Sequence, residues 1–214
     1  MRNPAVKSPS LDTGQLLLAS VGALLVGVLY IALPTLVVYG PPWLLLALEA
    51  VFVVPPVILH LAGLRLPHQL ARGSSYALLA VLTLALASSI WLLVNHLATL
   101  KPHEILVSGM LLWASNVLTF ASWYWETDGD GPVVRHKKAH VAGDFQFPQQ
   151  TGGNPTHWRP GFVDYVFLAF CSATALSPAD TMPLTHRAKL LMMVEALLSM
   201  FVLLLLVARF VNVV

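Results

Sequence analysis

Residues 13–48 read TGQLLLASVGALLVGVLYIALPTLVVYGPPWLLLAL and contain no Asp, Glu, Lys or Arg. Roughly 20 apolar residues in a helix span the hydrocarbon core of a bilayer, so a run of this kind belongs in lipid. Residues 73–100 are likewise free of acids and bases. The whole chain follows the same pattern: 214 residues, 57% hydrophobic, 10% charged, mean hydropathy +0.74. A water-soluble domain uses about a quarter charged residues to cover its surface, and this chain lacks them. The expected fold class is an all-α polytopic integral membrane bundle, because main-chain N–H and C=O groups in lipid must be satisfied within helices.

Six apolar segments are expected, at about 16–38, 44–60, 76–98, 104–125, 162–178 and 190–212. They divide the chain into an N-terminal tail (1–15), a four-helix membrane region (16–125), a polar loop (126–161) and a C-terminal hairpin (162–214). Arg2 and Lys7 precede an apolar run too long for the core of a signal peptide, which is therefore read as the first membrane helix. Pro55-Pro56 remove two donors and clash with the carbonyls of Val51 and Phe52, so a bend or break is expected in the second segment. The fifth segment is short, carries Asp164, Ser172 and Thr174, and meets Pro178. It either crosses thinly or dips in and returns.

Positive charge orients the bundle. With the N-terminus in the cytoplasm of a bacterial inner membrane, Arg65, Arg72, Arg135, Lys137, Lys138 and Arg159 also lie inside. If the fifth segment crosses, both chain ends are cytoplasmic, and Arg187 and Lys189 fall outside against the bias.

Chemistry enters through polar groups in apolar surroundings. Glu49 and Glu195 sit in membrane segments, where a charge costs about 2.5–3.5 kcal/mol on insertion scales. Either they line a wet path for protons or cations, or they lie near the interface, snorkelling or hydrogen-bonded to neighbouring helices. Ser108, Ser115 and Ser122, with Asn116 and Thr119, and the stripe Ser88, Asn95 and Thr99, read as helix-contact faces. Trp123-Tyr124-Trp125 reads as an aromatic belt at headgroup level. Residues 126–131 (ETDGDG) have the D-x-D-G spacing of a calcium-loop fragment without its terminal Glu, and read with His136, His140 and His157 as solvated polar chain. No metal and no cofactor is expected. No catalytic motif of the zinc-protease, hydrolase-elbow or P-loop type is present, and Cys171 stands alone in an apolar segment, so no enzymatic activity is expected. A net charge of +2 excludes nucleic acid as a partner.

The stretch from Asp164 to Thr185, followed by an apolar helix carrying Glu195-Ala196-Leu197-Leu198, resembles the pore helix, filter and inner helix of a two-helix potassium-channel pore. Thr174, Asp180, Pro183 and Thr185 stand in a register close to that family's T-x-G-Y-G-D-x-x-P-x-T. Ser177, Pro178 and Ala179 replace its glycines and aromatic, so potassium selectivity through stacked carbonyls is not expected. A pore of the usual sense would also need the preceding loop outside. Residues 110–214 further resemble a group of uncharacterised bacterial inner-membrane proteins, through Trp123-Tyr124-Trp125-Glu126, Asp144-Phe145-Gln146-Phe147-Pro148-Gln149 and the Ser177-x-x-Asp180 turn. That group supplies no established activity. The two resemblances imply a degenerate pore-like hairpin with Thr174, Ser177 and Asp180 at its filter-like turn. The functional expectation is channel-like passage of an ion or small solute, in a homo-oligomer embedded in the lipid bilayer. The alternatives are a secondary transporter built on the Pro55-Pro56 break, or a non-conducting scaffold whose polar loop binds a partner.

Overall fold

The structure, a computed structural model, describes residues 13–64, 67–174 and 180–211. Arg2, Lys7, Arg65, Ser177, Pro178 and Ala179 lie outside the described residues. The chain is a helical bundle of α1 (Thr13–Ile31), α2 (Leu44–Leu61), α3 (His68–Asn95), α4 (Pro102–Thr127), α5 (Pro132–Lys137), α6 (Phe162–Ala173) and α7 (His186–Val211). Two short strands, β1 (Phe145–Gln146) and β2 (Met182–Pro183), pair antiparallel. Five helices, α1 to α4 and α7, are long and apolar enough to cross a membrane. The protein is a multi-pass membrane protein.

Helix α4 is the central rod, packed against α1, α3, α6 and α7. Its Ser108, Ser115, Asn116 and Thr119 are fully buried, whereas α2 and α7 present Val51, Ile58, Leu190, Leu197 and Leu204 outward as a lipid-facing surface. The stripe on α3 behaves differently from the one on α4. Ser88 and Asn95 bond the carbonyls of Ala85 and Trp91 in their own helix, and Thr99 bonds His96 just beyond it, so that stripe makes no interhelical hydrogen bond. Close approach between rods depends on two glycines. A Cβ on Gly109 would fall 2.6 Å from the Leu206 side chain, and one on Gly27 would fall 2.7 Å from the Leu46 backbone.

Two expectations are corrected here. Helix α2 runs without interruption from Leu44 to Leu61 and carries Pro55 and Pro56 inside it, so the prolines do not break it. The pyrrolidine ring holds φ near the helical value, and the loss is confined to the bonds of Val51 and Phe52 with the two missing N–H groups. The polar region between α4 and α6 is also not featureless. It folds onto the bundle as a turn at Asp128–Asp130, the short α5 and strand β1.

The fifth apolar segment forms a helix too short to cross. Its 12 residues give about 18 Å of rise, well short of a hydrocarbon core of about 30 Å. At its start, the Phe162 N–H donates to Gln15 Oε1 in the first turn of α1, and the Phe162 ring stacks edge-on against Trp125 near the end of α4. At its end, the Ala173 carbonyl accepts from Ser199, about 20 Å along α7. By Met182 the chain is back at the first face, paired with Gln146, and α7 begins there with Arg187 bonded to Asp144. Both flanks of segment five, Phe162 and Met182, therefore lie at one end of the bundle, while α1 begins and α7 finishes at opposite ends. Both ends on one side was the arrangement expected had the fifth segment crossed. Arg72, Arg135, Lys137, Lys138, Arg159, Arg187 and Lys189 all fall at the face where α1 begins, with Lys101 and Arg209 at the other. The apparent misplacement of Arg187 and Lys189 disappears.

Helix α1 meets α2 at a contact with no room for a methyl group, since a Cβ on Gly27 would also lie 2.3 Å from Glu49 Oε2. Gly27→Ala is expected to lower stability by about 1–3 kcal/mol, the usual cost of overpacking, measured as a fall in Tm of the detergent-purified protein. Gly63→Ala, at a position with nothing near a Cβ but with φ of +73°, separates backbone strain from packing.

Candidate functional site

The buried acidic group of the hairpin is the carboxylate of Glu195. It is fully buried and hydrogen-bonded to a neighbouring helix rather than snorkelling. The apolar stripe of α7 faces lipid, so residue 195 turns inward toward α4 and α6. The Tyr124 hydroxyl of α4 donates to Glu195 Oε2, and Asn116 Nδ2 donates to the Glu195 carbonyl at 3.1 Å. Glu195 Oε1 has no protein partner, and neither do the buried Ser115 and Thr119 hydroxyls of α4 or Asn116 Oδ1. Ser172 of α6 adjoins Glu195 and Tyr124 outside hydrogen-bond geometry. Buried polar atoms are normally bonded, so the unpartnered Glu195 Oε1 and Asn116 Oδ1 mark a polar spot where α7 meets α4 in an apolar bundle.

Glu49 is equally buried but belongs elsewhere. Its Oε2 accepts from the Gly27 N–H at 3.1 Å between α1 and α2, beside Tyr30. The structure does not bring Glu49 and Glu195 into one path. Of the filter-like residues, Thr174 closes α6: its hydroxyl and N–H both bond the Phe170 carbonyl, at 2.8 and 3.0 Å. Asp180 is exposed and stands two residues ahead of β2, at the face. Thr174 and Asp180 thus occupy separate environments rather than one ring of ligands, and Ser177 lies outside the described residues.

The entrance to the hairpin is held by a second cluster that reading the sequence as a solvated turn missed. Asp128 is fully buried at the end of α4. Its Oδ1 accepts from the N–H groups of Asp144 and Phe145, at 2.7 and 3.1 Å, and its Oδ2 accepts from the Tyr165 hydroxyl of α6 at 2.6 Å. Arg135 lies 3.9 Å away, its guanidinium over the rings of Trp125 and Tyr165 and its Nη1 donating to the carbonyls of Trp125 and Asp128. Asp144 passes the linkage on: it accepts from the Gly129 N–H and the Thr185 hydroxyl, and takes two bonds from the fork of Arg187. Burial by itself would push the Asp144 carboxyl up, but the bonds from Arg187 and Thr185 outweigh it and hold Asp144 below the usual carboxylate range. Asp130 meets Arg72, Lys138 and Arg187, tying α3 to the same knot.

The aromatic belt is also corrected. Tyr124 and Trp125 are buried, and Trp123 donates to Thr83 and packs on Tyr76, so these rings lock α3, α4 and α6 rather than rest in headgroups. His136 and His140 meet ring to ring, at 3.1 Å between Nδ1 and Nε2, while His157 is exposed. Among the described residues no three metal-ligating side chains converge. Comparison with known proteins finds no matching family model, no similar curated protein and no similar solved structure.

His140 gives a pH dependence with a definite sign. Burial, then the positive charges of His136, Arg135 and Arg159, lower it from 6.5 to about 4. The unfolded chain then binds a proton that the folded protein refuses between those values, so stability present above pH 6.5 is lost as pH falls toward 4. Tm is expected to drop across pH 6.5 to 4, with a shallower slope in His140→Gln; an unchanged slope contradicts the assignment.

Proposed function

We propose that this protein passes a small ion or solute across the membrane along the interior of α4, α6 and α7, with Glu195 as the group that meets it. The observation that carries the reading is the Glu195 carboxylate itself. It is fully buried, one oxygen is bonded by Tyr124, the other has no protein partner, and a re-entrant helix ends beside it. An ionisable group at such depth is retained against an insertion cost, and its commonest use is a proton or ion pathway. Broken or re-entrant backbone at membrane depth is tolerated where protein or a polar interior surrounds it.

The hairpin resembles a pore helix followed by an inner helix, but it enters from the face rich in Lys and Arg. By the positive-inside rule that face is cytoplasmic, in a plasma or inner membrane, with α1 starting there. Relative to the potassium-channel arrangement the hairpin is then inverted. Ser177, Pro178 and Ala179 in place of glycines argue further against potassium selectivity. One copy of the hairpin does not enclose a conduit by itself, and the apolar outer faces of α2 and α7 are surfaces on which copies can assemble. The transporter reading loses its main support, because α2 is unbroken at Pro55-Pro56.

The purified protein, reconstituted in liposomes, is expected to dissipate an imposed proton, sodium or potassium gradient. Glu195→Gln should cut that flux at least tenfold, and Glu49→Gln, in the separate cluster, should leave it near the parent value. No flux for any of the three cations, or equal flux in Glu195→Gln, contradicts the proposal.

A further inference from the structure

A recess of about 90 Å³ opens at the face where α1 begins, between α5 and the chain that leads into α6. Arg135, His136, His140 and Arg159 line it, with Trp125 as a wall and Gln15 at the edge, and no carboxylate contributes to its lining. Two guanidinium groups and two imidazoles thus face one small recess and offer it N–H donors.

The protein's own carboxylates, Glu126 beside Arg135 among them, lie off the recess lining. Asp128 is 3.9 Å from Arg135 and already accepts from two backbone N–H groups and from Tyr165. Arg159 is exposed and forms no ion pair among the described residues. His140 Nδ1 is buried without a hydrogen-bond partner. Burial first, then the charges of His136, Arg135 and Arg159, keep the proton affinity of His140 low, so at neutral pH its imidazole is uncharged and donates through one N–H. The recess is firmly built. Asn154 Nδ2 bridges the carbonyls of Ala139, His140 and Trp158, and Gln150 Nε2 donates to His140 O at 2.9 Å. Arg135 is pinned between Trp125 and Tyr165, so its guanidinium is in place before any ligand arrives.

We propose that this recess binds a phosphate group, through Arg135, Arg159 and the paired His136 and His140. Guanidinium forks match the oxygens of a tetrahedral oxyanion, and imidazole N–H groups can complete the set. Two sources share that chemistry at this position: the headgroup of an anionic phospholipid, and free phosphate or a soluble phosphate ester from the adjoining aqueous phase. The recess is separate from the Glu195 interior, so its test is independent of flux.

The full-length protein, purified in neutral detergent, is heated in sodium phosphate and in sodium chloride at matched ionic strength and pH. In parallel, retention of phosphatidylglycerol against phosphatidylcholine is measured by native mass spectrometry. Arg159→Gln and His136→Gln are compared with the parent, each first shown to match the parent's Tm in chloride; Arg135 is left intact because it holds the fold. A saturable rise of Tm with phosphate, its midpoint shifted at least tenfold in both variants, assigns free phosphate. Selective phosphatidylglycerol retention that both variants lose, without a phosphate response, assigns the lipid headgroup. Absence of both effects, or effects equal in parent and variants, overturns the proposal. Should either variant fail the Tm match, Arg159→Lys replaces it, expected to keep charge but weaken binding through loss of the fork.

Discussion

A helix that enters a bilayer without crossing it has two polar ends and only one of them reaches water. The rest of this structure depends on how the α6 ends are satisfied. Its first turn is closed by Asp164, which accepts from the Gly161 N–H, and by Gln15, which accepts from Phe162. Its deep end is closed by Thr174 on the Phe170 carbonyl and by Ser199 on the Ala173 carbonyl. In oil each such group left open costs several kcal/mol, so these four side chains decide whether the segment stays inside the bundle. Helices α1 and α7 are placed to supply what α6 needs, and Glu195 of α7, near its deep end, is the group proposed to meet an ion.

The knot at the surface serves the same constraint from the other side. A re-entrant hairpin begins and ends on one face, so both of its ends must be fastened there. Asp128 holds Tyr165 of α6, and Asp144 holds Thr185 and Arg187 at the start of α7; the two carboxylates are joined by the bond from Asp144 N–H to Asp128. Paired and hydrogen-bonded on every side, these buried acids recover what their removal from water costs, whereas loss of one partner would leave a charge stranded. The polar recess lined by Arg135 and Arg159 sits on the outer side of that knot.

Helical class, membrane residence and the weakness of the fifth segment were legible in the sequence, because hydropathy over 20 residues integrates many small contributions that no tertiary contact reverses. Burial of Ser108 and Ser115 was legible for the same reason, through their seven-residue spacing. The rest depended on partners distant in the chain. Asp128 reads as a turn residue until residues 144, 145 and 165 are placed around it. Trp123 reads as a belt until Thr83 and Tyr76 receive it. Glu195 reads as interfacial when counted from an apolar segment starting near 190, whereas α7 begins at His186 and Tyr124 of α4 receives its carboxylate. Pro55-Pro56 reads as a break, but removal of two donors leaves the neighbouring turns free to hold the helix together.

Re-entry of α6 is the claim on which topology, function and the separation of the two acidic clusters all rest. It is tested most directly by membrane-impermeant thiol labelling in oriented vesicles, with single cysteines at Arg159, Met182 and Lys101 in a Cys171→Ala background. The structure places positions 159 and 182 on one side and position 101 on the other. Labelling of positions 159 and 182 from opposite sides would mean that the segment crosses, and would contradict it.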